Sequence, residues 1–150
     1  MASTTFSGPV TSTNGFIGAI TGLETVTTLT AASTLTAAQS NTIFFLSSAT
    51  EFVTTLPAPA AGLMYTFIVG AAPSGADYKI LTSASANIIK GQAYPCSGAA
   101  GDIGTADDTI NFVDAQAVAG DQVTVISDGT SWFAKALCAV AAGVTFTTTS

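Results

Sequence analysis

Apolar and β-branched residues recur along this chain in short runs at strand spacing, and no stretch sustains the 3.6-residue period of an amphipathic helix. "TIFFL" (Thr42 to Leu46), "FVTTL" (Phe52 to Leu56) and "MYTFIV" (Met64 to Val69) are strand-length and rich in residues that favour a pleated surface. "YKILT", "NIIK", "TINFV", "QVTVIS", "WFAKAL" and "VTFTTT" continue the series, with Gly, Pro, Asn and Asp clusters between them. Short strands about ten residues apart predict an all-β domain, an antiparallel β-sandwich or barrel-like, jelly-roll-like fold, over residues 41–150.

Residues 1–40 have a different texture. "TTFSGPVTSTNGFIGAI" offers two short extended segments separated by Gly8-Pro9 and by Asn14-Gly15, a tight-turn dipeptide. It holds too few large apolar residues for a core of its own, so residues 1–40 are expected to form an extended arm and an Ala/Thr-rich connector. The arm would lie on the main domain or on a neighbouring subunit, with Phe6 and Phe16 as its contacts. A near-repeat, "TTLTAA" at Thr27 and "STLTAA" at Ser33, falls short of the three stacked units a solenoid needs and reads as low complexity. A short helical turn is plausible where it runs into "TAAQSN".

The most definite element is "GDQVTVISDGTSWFAKAL". With Asp128-Gly129 as a two-residue turn, Ser127 opposes Thr130 and Val125 opposes Trp132. Directly opposed residues share a sheet face. One face then collects Val123, Val125, Trp132, Ala134, Ala136 and Cys138, the candidate core. The other collects Ile126, Phe133 and Leu137 among Thr124 and Lys135. That mixed face is either a subunit interface, covered by a loop, or plainly exposed; interface is the expectation.

Composition narrows the function classes. The net charge is −6 and only 8% of residues are charged, against about 25% in ordinary domains. There is no His or Arg, and the basic residues are Lys79, Lys90 and Lys135. Three scattered lysines cannot neutralise a phosphate backbone or an anionic bilayer, so nucleic acid and membrane are excluded as partners. No apolar run reaches the ~20 residues of a spanning helix. "MASTTFSGPV" has neither a basic nor an apolar leader region, so no secretory signal and a cytosolic origin are expected. A chain this uncharged and 48% apolar should hide much of its surface against copies of itself or a partner.

Candidate chemistry is sparse. Without His, a serine or cysteine nucleophile lacks its ordinary base, and Cys96 and Cys138 cannot build a zinc site alone. The two cysteines are expected to be free and packed. "GDIGTADDTINFVD" places Asp102, Asp107, Asp108 and Asp114 in a loop-rich stretch that would suit Ca²⁺, but matches no EF-hand and also fits ordinary turn chemistry. Glu51 with an Asp is a conceivable glycosidase pair. A glycan-binding sandwich would expose Tyr65, Tyr78 or Tyr94. No catalytic residue, cofactor or metal is assigned.

"TTFSGPVTSTNGFIG" resembles the opening of small virion proteins of tailed bacteriophages of marine and cyanobacterial hosts. "TLTAAQSNTIFFLSSATEFVTTLPAPAAGLMYTFIVGAAPSGADYKI" followed by "GDQVTVISDGTSWFAKAL" is similar to head decoration, or cement, proteins and other β-rich virion modules. The resemblance implies a non-enzymatic protein made in the bacterial cytoplasm and located on the capsid exterior. It would bridge major capsid proteins as an oligomer, expected to be a trimer. A tail or tail-fibre module is the alternative that the same pattern allows.

Overall fold

The computed structural model describes residues 25–149, so Phe6 and Phe16 lie outside the described residues. Twelve strands follow in order: β1 (Thr25–Leu29), β2 (Ser33–Thr34), β3 (Thr42–Leu46), β4 (Val53–Thr55), β5 (Met64–Val69), β6 (Tyr78–Leu81), β7 (Ile89–Pro95), β8 (Ile103–Asp107), β9 (Thr109–Phe112), β10 (Gln122–Ser127), β11 (Trp132–Cys138) and β12 (Val144–Thr147). They form a seven-stranded sheet, β1-β3-β5-β10-β11-β7-β8, packed on a five-stranded sheet, β12-β9-β6-β4-β2. The fold is an all-β sandwich of two mixed sheets.

The expected antiparallel, jelly-roll-like pairing is corrected by the strand directions. Half the pairings are parallel: β1 with β3, β3 with β5, β2 with β4, β4 with β6, and β7 with β11. The cause is the path of the chain, because β1 to β6 alternate between the two sheets. Each strand returns to its own sheet after a crossover through the other, which brings sequence-alternate strands side by side in the same direction.

This winding also corrects the boundary expected at residue 41. β1 is an edge of the larger sheet, β2 is an edge of the smaller, and Leu35 is a buried core residue. The two copies of the near-repeat thus lie in opposite sheets, each sending its leucine, Leu29 or Leu35, towards the core. What looked like low complexity is one turn of the sandwich wall. A 3₁₀ turn, Ala37–Gln39, leads from it to β3.

Between the sheets, rows of side chains follow the register. Phe44, Phe67, Val123, Ala136 and Ala93 form one row, and Tyr65, Val125, Ala134 and Gly91 the next. Phe44 stacks on Phe67 with centroids 5.6 Å apart, and Trp132 lies 5.8 Å from Tyr65. The smaller sheet contributes Tyr78, Ile80, Ile110, Phe112, Val144 and Phe146. Polar tips in this core are largely spoken for. Tyr65 donates its hydroxyl to the Thr36 carbonyl, and the Tyr78 hydroxyl both donates to the Ser48 carbonyl and accepts from its N–H.

The C-terminal end is tied down by Asp108, which is fully buried. Its carboxylate accepts from the Thr109 hydroxyl at 2.6 Å, the Thr149 N–H at 3.0 Å and the Thr149 hydroxyl at 2.9 Å. Burial alone would raise its pKa, but these bonds from Thr109 and Thr149 and one from its own backbone outweigh it and hold the carboxyl below its ordinary value. A pKa lower in the folded state means the ionised form stabilises the fold. That stability is complete above the unfolded value of about 3.9 and is lost as pH falls through the folded value. Melting temperature should therefore drop on acidification below about pH 4. In Asp108→Asn, part of that acid limb should vanish and the neutral-pH melting temperature should be lower. A melting profile of Asp108→Asn with an unchanged acid limb would refute the assignment.

Candidate functional site

The hairpin β10–β11 has the faces expected of it but a different register. Ser127 pairs with Trp132, Ile126 with Phe133, Val125 with Ala134 and Val123 with Ala136, around a four-residue loop, Asp128 to Ser131. Asp128 builds that loop: its Oδ1 accepts from the N–H groups of Thr130 and Ser131 at 2.8 and 2.7 Å and from the Thr130 hydroxyl at 2.9 Å. Those bonds, with Ser131's backbone the largest contributor, hold its carboxyl below the ordinary range. The shift from the two-residue turn is two positions along one strand. Because side chains alternate with period two, a shift of two leaves every residue on its face. Val123, Val125, Trp132, Ala134 and Cys138 are buried, and Ile126, Phe133 and Leu137 are 42–47% exposed. No loop of the described residues covers them.

These three belong to a much larger surface. Across the seven strands, the register aligns Val26, Ile43, Thr66, Thr124, Lys135, Gln92 and Ile103 in one outward row. A second outward row runs Thr28, Phe45, Ile68, Gln122, Leu137 and Tyr94. A third runs Met64, Ile126, Phe133 and Lys90. The polar members are mostly paired: the Thr66 and Thr124 hydroxyls are 3.0 Å apart, and the Tyr94 hydroxyl donates to Gln92 Oε1. Lys90 Nζ stands 5.7 Å from the Phe133 ring and Lys135 Nζ 6.0 Å from the Tyr94 ring, so both stems lie along apolar surface. The outward rows of the smaller sheet are by contrast dominated by Thr, Asn111 and Lys79.

No carboxylate stands in any of the three rows. Each of the eight described carboxylates instead accepts at least one backbone N–H. Glu51 takes Ser74 at 2.7 Å, Asp114 takes Gly75 at 2.9 Å, and Asp77 takes Asp114 at 2.7 Å. Asp102 takes Ile103 and Phe146, Asp107 takes Thr105, and Asp121 takes Val118 and Ala139. Asp108 and Asp128 complete the set. Glu51, Asp77 and Asp114 do line one shallow hollow, but there they clamp the loop at Ser74 and Gly75. The stretch Asp102 to Asp114 is turn and strand-end chemistry, and among the described residues no group of three acidic or thiol side chains is placed to hold a metal.

The remaining candidates separate by burial. Tyr65 and Tyr78 are core residues, which leaves Tyr94 alone exposed of the three considered for glycan binding. Cys138 is buried, and desolvation pushes its thiol pKa up; Cys96 is exposed rather than packed, and the two are not bridged. The chain matches no family model, no curated protein and no solved structure. The outer face of the larger sheet is therefore the candidate site on its own geometry. Ile43, Phe45, Met64, Ile68 and Ile103 were not singled out from sequence, although "TIFFL" and "MYTFIV" carry the signal. A strand apolar at nearly every position announces two faces away from water.

Proposed function

We propose that this protein is a non-enzymatic structural component of a tailed-phage particle, decorating the capsid exterior and stabilising the shell as an oligomer in contact with the major capsid protein. The observation that carries this reading is the outer face of the larger sheet, a broad apolar surface free of carboxylates among the described residues on a chain whose net charge is −6. Contiguous exposed apolar surface of this extent marks an assembly site in a soluble protein. The engagement of every described carboxylate by backbone N–H groups supports a scaffold rather than a hydrolase. The resemblance of the arm and strand pattern to decoration proteins supplies the particle.

The test is binding of purified protein to expanded heads that lack it, followed by reconstruction of the particle. Wild type should add density on the outside of the shell. Phe133→Ser should keep its melting temperature within a few degrees, since a half-exposed side chain contributes little to the monomer, while head binding falls about tenfold or more. Density confined to the tail, or a monomer that binds no part of the particle, would sink the reading.

A further inference from the structure

We propose that the outer face of the larger sheet is closed by a second copy of the same face, related by a twofold axis running along β10. This rests on reading the face as an assembly surface and departs from the threefold arrangement implied by resemblance. β10 is the middle strand of seven, so such an axis lays β11 of one copy over β5 of the other, β7 over β3, and β8 over β1. Rows are preserved by this operation. Phe133 then falls over Met64, Leu137 over Ile68, Tyr94 over Phe45, and Ile103 over Val26. The exposed apolar groups of this face off the axis, Val26, Ile103, Phe133, Leu137 and Tyr94, each meet an apolar group, while the half-buried Ile43 falls over Gln92.

The lysines decide between the possible twofolds. An axis across the strands, along the central row, would set Lys135 against Lys135 and stack Tyr94 on Lys90, with no carboxylate among the described residues of either face to offset the charge. The axis along β10 keeps them apart, because both lysines lie on the β11–β7 side and meet the uncharged β5–β3 side. Lys135 then lies over the hydroxyl of Thr66, and Lys90 projects past the start of β3, where a long stem can keep its ammonium in water. The face is large enough. Strand spacing and rise give about 500–650 Å² of flat area per copy, near the ~1,200 Å² total at which stable interfaces begin before side-chain relief is counted. Aligned sheets about 10 Å apart would interdigitate these rows as the core does.

On the axis, Thr124 meets its own copy, which gives a direct test in the full chain. In a Cys96→Ser background, Thr124→Cys should be joined into a covalent dimer by a short bis-maleimide, while Val53→Cys on the smaller sheet should not. Sedimentation equilibrium should show a wild-type dimer, and Phe133→Ser with Leu137→Ser should weaken it about 100-fold or more, while leaving the melting temperature unchanged at protein concentrations too low for wild type to dimerise. A wild-type trimer in which Thr124→Cys stays unlinked overturns the pairing. So does a monomer that dimerises only when residues 1–24 are removed, which would put that segment on the face instead. If no dimer forms but Phe133→Ser still abolishes head binding, the pairing fails and the assembly reading stands. A dimer that binds no particle does the reverse.

Discussion

Trp132→Ala is expected to lose about 3–5 kcal/mol of unfolding free energy, whereas Trp132→Phe should stay within about 1.5 kcal/mol of wild type. The difference follows from what the indole does. Trp132 is fully buried beside Tyr65, at the loop end of the hairpin, where its strand pairs on one side with Ser127 and on the other with Ile89. Alanine would leave a large hole between two sheets that cannot easily collapse. The indole Nε1 is, however, a buried donor without a hydrogen-bond partner among the described residues. Leaving a polar group in that state costs about 1–3 kcal/mol, and phenylalanine removes the group while keeping most of the ring. Urea unfolding of both variants reads the result. Equal losses in the two would mean that the indole N–H has a partner, and that its polarity as well as its bulk is being used.

The hairpin shows why much of the fold is legible in the sequence. Its faces survive a wrong turn length because the error was even, and period two is indifferent to even shifts. The Asx-type loop at Asp128 defeats the two-residue rule because the side chain, rather than the backbone alone, closes the turn. Strand direction was not legible in the same way. Local alternation says that a residue lies in a strand but not which sheet the next strand joins, and the switching of β1 to β6 between sheets is a tertiary fact. The carboxylates were opaque for a related reason: Glu51 reaches Ser74 and Asp108 reaches Thr149 across loops whose approach no spacing rule encodes. The candidate face was partly visible. Ile126, Phe133 and Leu137 stood out because polar neighbours made their parity readable, whereas Ile43, Phe45 and Ile68 were hidden in runs where both parities are apolar.

The second large effect concerns the place where the two sheets come closest. On the inner surface of the larger sheet, Gly91 and Gly104 carry no side chain, and the ring of Phe146 from β12 fills the space above them. A methyl at Gly104 would sit 2.8–2.9 Å from Phe146 side-chain atoms. One at Gly91 would meet the Ala134 carbonyl oxygen at 2.7 Å, the Ala134 methyl at 2.8 Å and the Phe146 ring at 2.8 Å. Both substitutions overpack a dense interior, which costs about 1–3 kcal/mol, and Gly91→Ala should lie at the upper end because backbone is among the atoms it strikes. The partners differ in how they can give way. Phe146→Ala alone should destabilise by about 3–5 kcal/mol through lost volume. Combined with Gly104→Ala it should restore part of the loss, since two of the three atoms the methyl would strike, Phe146 Cγ and Cδ1, are absent from alanine. Combined with Gly91→Ala it should not, because the Ala134 carbonyl and methyl remain. A double-mutant cycle by urea unfolding should therefore give a coupling of about 1 kcal/mol for the Gly104–Phe146 pair and close to none for Gly91–Phe146. Equal coupling at the two glycines would show that Phe146 alone sets the spacing of the sheets. Unequal coupling would show that the larger sheet is itself drawn tight between β7 and β11, so the glycine at position 91 serves the pairing of those strands as well as the closing of the sandwich.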